Sequence, residues 1–111
     1  MLTIWHNPRC SKSRETLALL EARGLSPVIV DYQKTPPSAA ELERVLRLLG
    51  IEPRALMRKG EAEYAGVPVD ASRDALIAAM IATPKLIERP VVIHGEKAAI
   101  GRPPEGVLAI L

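Results

Sequence analysis

A single cysteine, Cys10, is the only thiol among 111 residues. One cysteine forms no internal disulfide, which excludes a disulfide-stapled extracellular scaffold. Phenylalanine is absent and aromatic residues make up only 3% of the chain, so the base-stacking platform of a single-strand binder is missing. A dominant charge is missing too: the formal net charge is +2 and there is no lysine-rich tract, which removes the basic stripe that a nucleic-acid partner requires. No apolar run approaches the ~20 residues of a membrane-spanning helix. Met1-Leu2-Thr3 leads straight into a strand rather than through a charged and then apolar leader. The expectation is a chain of the reducing cytoplasm, with neither nucleic acid nor membrane as partner.

What is present fits an ordinary globular protein: 48% hydrophobic and 25% charged residues, in a length that supports one core rather than two. A single domain spanning 1–111 is expected, as a monomer. Of the 15 basic residues most are arginine. Codon preference accounts for such a bias, but the planar guanidinium also grips oxyanions bidentately; position has to separate the two.

The organising stretch is Thr3-Ile4-Trp5-His6-Asn7-Pro8-Arg9-Cys10-Ser11-Lys12-Ser13-Arg14. A short apolar strand breaks at Asn7-Pro8, a turn signal. Beyond Cys10 the pattern becomes helical, with Leu17, Leu20 and Leu25 apolar and Gly24 as a stop. Cys10 therefore falls at a helix N-terminus, where unpaired N–H groups and the helix dipole favour a thiolate. Arg9, Lys12, Arg14 and His6 add positive charge or a titrating ring nearby. A lone cysteine is commonly just a small buried hydrophobe, yet this one has polar neighbours and a turn position, which argue for a reactive thiol.

Pro27-Val28-Ile29-Val30-Asp31-Tyr32 reads as a second strand, continuous and β-branched and hence expected to be buried on both faces. With the first strand and helix it makes a right-handed, parallel β-α-β unit. Ser38-Ala39-Ala40-Glu41 is a capping box opening a helix with Leu42, Val45, Leu46 and Leu49, closed by Gly50. Ile51-Glu52-Pro53 restarts a short helix expected to carry Arg54 to Lys59, with Arg58 late in it. Residues 60 to 69 read as irregular. Asp70 or Ser72 caps a further helix with Leu76, Ile77, Met80 and Ile81 inward, ended by Thr83-Pro84. Arg89-Pro90-Val91-Val92-Ile93-His94 is a strand entered through proline. Gly95-Glu96 turns it into Ala98-Ala99-Ile100-Gly101, and Arg102-Pro103-Pro104 opens a last helix. This order predicts an α/β, thioredoxin-like fold: a central mixed sheet of about four strands with flanking helices, and a helical insert between the β-α-β and β-β-α halves. In such a fold the proline before the third strand lies beside the active cysteine, which brings Arg89 within reach of Cys10. Surface arginines are usually solvated. Three at element boundaries, Arg58, Arg89 and Arg102, together with a thiolate, instead suit the binding of a tetrahedral oxyanion and attack on its centre.

The chain resembles the glutaredoxin-coupled arsenate reductases over nearly its whole length. The segments that carry the resemblance are His6 to Arg14, Arg54-Ala55-Leu56-Met57-Arg58, Glu88-Arg89-Pro90-Val91-Val92 and Gly101-Arg102-Pro103. The resemblance implies Cys10 as nucleophile and Arg58, Arg89 and Arg102 as oxyanion ligands, with Asn7, Ser11, Ser13 and Pro90 supporting the loop. His6 matches a family histidine that favours the thiolate; an imidazole that merely caps the loop reads equally well. His94, within a strand, reads as structural. The implied substrate is arsenate, with glutathione as co-substrate and glutaredoxin as protein partner, and neither a bound cofactor nor a metal. The chain ends just after its final helix, where longer family members continue.

Redox-responsive regulators that bind RNA polymerase share the fold but carry Cys-x-x-Cys at the first helix. Here that pair is Cys10 and Ser13, which forms no internal disulfide. A glutathione-dependent thiol oxidoreductase without arsenate activity is a further reading. A low-molecular-weight phosphatase is disfavoured because Arg14 follows Cys10 too closely for its loop.

Overall fold

A computed structural model describes residues 1–111 as two compact units: residues 1–35 with 89–111, and residues 36–88. The first unit holds a four-stranded sheet in the order β2-β1-β3-β4, with β1 Leu2–His6, β2 Val28–Asp31, β3 Val91–His94 and β4 Lys97–Ile100. Strand β1 pairs parallel with β2 and antiparallel with β3, which pairs antiparallel with β4. The mixed sheet and the α/β order are those the sequence predicts.

Helix α1, Ser11–Ala22, returns the chain from β1 to β2, and Gly24 takes the positive φ of 75° that ends the helical run. Its inward Leu20 joins Ile4, Val92, Val107 and Ile110 in a buried apolar cluster. The last two residues come from the C-terminal 3₁₀ helix Pro104–Ile110. His94 Nδ1 meets the Ile110 carbonyl at 2.7 Å and ties β3 to that helix, a structural role. Gly95, with φ of 61°, heads the tight turn between His94 and Lys97; glycine is the residue a II′ hairpin wants at that place.

Strand β2 departs from expectation. Its β-branched run suggests burial on both faces, but it is the sheet's edge, and Val28 and Ile29 are 47% and 49% exposed. A continuous apolar run is consistent with a doubly covered strand without requiring one.

The second unit is helical. Ser38 and Glu41 form the capping box of α2, Ala39–Leu49, and Gly50 closes it in the left-handed conformation. Ser72 caps α3, Arg73–Ala82, through the Ala75 N–H. Leu42, Val45 and Leu46 of α2 and Leu76, Ile77 and Met80 of α3 are buried, and the two helices pack together. Short 3₁₀ turns occupy Pro53–Leu56, Ala62–Gly66 and Pro84–Leu86. The helix expected to reach Lys59 thus stops at Leu56. Met57 turns extended and pairs with Ile87, while Arg58 N–H donates to the Leu86 carbonyl at 2.6 Å and Glu88 N–H to the Leu56 carbonyl at 2.7 Å. Backbone pairing with the segment after α3 satisfies groups that a longer helix would have used internally. Arg58 consequently stands on an extended segment, not on a helix.

Candidate active site

Cys10 is the N-cap residue of α1, with extended backbone angles and a side chain that makes no cap bond. The loop before it is closed by its own hydrogen bonds. Cys10 N–H donates to the Asn7 carbonyl at 3.0 Å, Arg9 N–H to Asn7 Oδ1 at 3.0 Å, and Arg14 Nη1 to the Pro8 carbonyl at 2.9 Å. Asn7 is buried and builds a side-chain-mediated turn of the kind for which Asn is favoured. Ser11 is exposed as the first helical residue.

Ser13 is fully buried, and its Oγ accepts the Asn7 N–H at 3.0 Å and lies 2.7 Å from His6 Nδ1. Ser13 Oγ thus bridges the Asn7 backbone and the His6 ring, and the direction of the bond to Nδ1 follows the imidazole tautomer. Burial pushes the His6 pKa down; Arg14 works in the same direction, and Asp31 and Glu21 oppose. His6 therefore acts on Ser13 and through it on the loop. Ser13 does not merely fill a vacant cysteine position. It joins the end of β1 to the first turn of α1, a role that residue spacing did not reveal.

Two arginines of the same unit converge on the thiol. Arg102 Nη2 lies 3.4 Å from Cys10 Sγ, and its Nε donates to the Arg89 carbonyl at 2.7 Å. Arg89 is buried and precedes Pro90 through a cis peptide bond; Arg102-Pro103 is cis as well. Burial pushes the Cys10 thiol up, but the Ser13 N–H, the Arg89 guanidinium, the Lys12 N–H and the Arg102 charge together outweigh it. The net pKa falls below the ordinary thiol value, as expected for a thiolate at a helix N-terminus beside cations. Tyr32, fully buried, lies in the field of Arg89; burial raises its pKa while Arg89 and Gln33 pull it back.

Arg58 belongs to the second unit, where its Nε and Nη1 meet Glu61 and Glu88, each at 3.2 Å. Arg54, in the same sequence segment, is a fastener: it donates to the Tyr64 hydroxyl at 2.8 Å and to the Pro68 carbonyl at 2.7 Å. Gly101 is a site residue in a different sense. A Cβ there would come within 2.5 Å of Thr16 Oγ1 and 2.8 Å of Pro90 Cγ, so glycine allows α1 and Pro90 to close around this position. No group of three or more His, Cys, Asp or Glu side chains is placed to hold a metal ion, and no helix is long and apolar enough to cross a membrane.

A β-α-β unit, a β-hairpin closed by a 3₁₀ helix and a cysteine at the N-terminal cap position of the first helix define a thioredoxin-like thiol protein. Residues 5–110 match the ArsC family, and the chain belongs to that family. The chain is 48% identical to an arsenate reductase of Haemophilus influenzae, over 97% of each chain. It is 51% identical to an uncharacterised Escherichia coli protein, YfgD, over 97% of this chain and 94% of that one. The solved structure of an arsenate reductase from Vibrio cholerae superposes with a TM-score of 0.96 at 52% identity, covering 99% of this chain and 97% of that one.

Proposed function

We propose that the protein reduces arsenate to arsenite, with Cys10 as nucleophile and glutathione and glutaredoxin as the electron supply. The observation that carries this reading is the position of Cys10 Sγ at the start of α1, 3.4 Å from Arg102 Nη2 and within the influence of Arg89. A thiolate held beside guanidinium groups suits capture of a tetrahedral oxyanion and attack on its central atom. Arg89 and Arg102 bind the arsenate oxygens; Arg58 is given the same role by family resemblance. Cys10 attacks arsenic(V), a sulfur–arsenic bond forms, and one oxygen departs as water after protonation.

With one cysteine in the chain, the second sulfur has to come from outside. The glutathione thiolate attacks Cys10 Sγ and a disulfide forms. The sulfur–arsenic bond breaks with its electron pair passing to arsenic, which leaves as arsenite. Two sulfurs are oxidised and arsenic is reduced by two electrons. A glutaredoxin thiolate then attacks the glutathione sulfur and frees Cys10, an exchange favoured by a leaving thiol of low pKa. A supply of reduced glutathione makes the cytoplasm the natural compartment.

The test is a reduction assay with arsenate and glutathione, with and without glutaredoxin. Without glutaredoxin about one arsenite per Cys10 is expected, with a single glutathione added to the intact mass and none in Cys10→Ser, as thiol–disulfide chemistry at one sulfur requires. Sustained turnover driven by thioredoxin alone, with no glutathione present, would refute the scheme.

A further inference from the structure

Two clefts adjoin the cysteine loop in sequence. One, of ≈ 370 Å³, is lined by Asn7, Pro8, Arg9, Asp31, Gln33 and Lys34 and takes in the residue directly before Cys10. The other, of ≈ 330 Å³, is lined by Lys12, Glu15, Leu19, Pro103, Pro104 and Glu105 and takes in the residue directly after Arg102. Both fall in the size range of small-ligand sites. Their charges differ in sign. The first carries two cations and one carboxylate; the second carries two carboxylates and one cation, and that cation, Lys12, is already paired with Glu15 at 3.3 Å.

The walls of the first cleft are set before any ligand arrives. Asn7 Oδ1 fixes the Arg9 backbone, while on the other side the Asp31 carbonyl accepts the N–H groups of Lys34 and Thr35 at 3.0 and 2.9 Å. Asp31 Oδ1 also accepts the Gln33 N–H at 3.3 Å. The side chains of Arg9 and Lys34 enter no ion pair. A preorganised cleft with two unpaired cations and one carboxylate is a charge template for a ligand with two carboxylates and one ammonium.

We propose that this cleft docks glutathione, with Arg9 and Lys34 on its two carboxylates and Asp31 on its ammonium group. The proposal rests on glutathione being the thiol that resolves the Cys10 adduct, and the cleft that would hold it is lined by Arg9, the residue directly before the nucleophile. The second cleft, negative overall, repels the same ligand.

S-methylglutathione, which cannot react with Cys10, tests the site apart from the chemistry. Titration into the full-length protein, followed by amide NMR, should shift Arg9, Gln33 and Lys34, and Lys34→Glu and Arg9→Glu should each weaken binding about tenfold or more, as loss of a charged hydrogen bond implies. In single-turnover arsenite release both variants should raise the half-saturating glutathione concentration by a similar factor, and Lys34→Glu, which is remote in sequence from the thiol, should leave the rate with uncharged 2-mercaptoethanol within about twofold. Shifts confined to Lys12, Glu15 and Glu105, absence of binding, or unchanged affinity in both variants would overturn the docking site. S-methylglutathione binding at the cleft without glutathione-dependent arsenite release would instead uphold the site and overturn the reductase reading.

Discussion

Arg102 holds Cys10 and Arg89 at once: one guanidinium nitrogen lies 3.4 Å from the Cys10 sulfur and another donates to the Arg89 carbonyl at 2.7 Å. The same side chain that stabilises a thiolate therefore also fixes the backbone of its neighbouring arginine. Loss of Arg102 has two expected effects, one electrostatic and one positional.

The electrostatic effect is read from the ionisation of Cys10. Its alkylation rate against pH should show a midpoint below the ~8.5 of a free cysteine, and Arg102→Ala should move that midpoint upward. A midpoint at or above the free value in the unaltered protein would remove the case for an activated thiol.

Arg89→Ala and Arg102→Ala should each lower kcat/KM for arsenate by about tenfold or more, since hydrogen bonds to charged groups contribute roughly 1.5–3 kcal/mol. Lysine should restore only part of the loss because it lacks the bidentate fork. Near-normal kinetics in both alanine variants would make them bystanders.

The His6 and Ser13 pair gives a stability test. Ser13→Ala leaves the buried Asn7 N–H and His6 Nδ1 without their partner, at a cost of about 1–3 kcal/mol, measurable by urea unfolding. Acidification supplies the sign. A depressed His6 pKa means that the unfolded chain binds the proton first, so stability falls as pH drops below about 6.5, the ordinary histidine value. His6→Gln should flatten that part of the profile; an unchanged slope would show that His6 is not held neutral.

Gly101→Ala should destabilise the fold by about 1–3 kcal/mol through overpacking, because the added methyl meets Thr16 and Pro90. Thr16→Ala removes the nearer of the two obstacles. The double variant should therefore lose less than the sum of the single losses, a coupling that a double-mutant cycle measures. Strict additivity would mean that the two positions do not touch.

The strand order, the capping box at Ser38 and Glu41, the glycine stops and the helix-terminal cysteine were legible because each is a local signal with a local cause. Three features were not. The exposure of Val28 and Ile29 depends on which strand lies at the sheet's edge, and a β-branched run reads the same at the edge as in the middle. The early end of the Pro53 turn depends on Met57 meeting Ile87, a partner 30 positions away. The coupling of Ser13 to His6 arises because strand and helix ends meet across a loop, and no periodicity encodes it. Position at an element boundary marks Arg89 and Arg102, and the structure brings both to Cys10; Arg58, marked by the same signal, is engaged by Glu61 and Glu88 within the second unit.

The strand order has a consequence for assembly in time. Strand β1 is made well before β3, its second neighbour from residue 91 onward, and Ile4 needs Val107 and Ile110 to complete its cluster. Residues 36–88 form a unit of unbroken chain and can close earlier, whereas the sheet and its cluster wait for residues 91–110, since distant contacts have to overcome loop-closure entropy. Arg89 and Arg102 arrive with that returning segment. A nascent chain thus presents Cys10 at its helix end before Arg89 and Arg102 exist, and the thiol acquires those two neighbours only after residue 102 has been made.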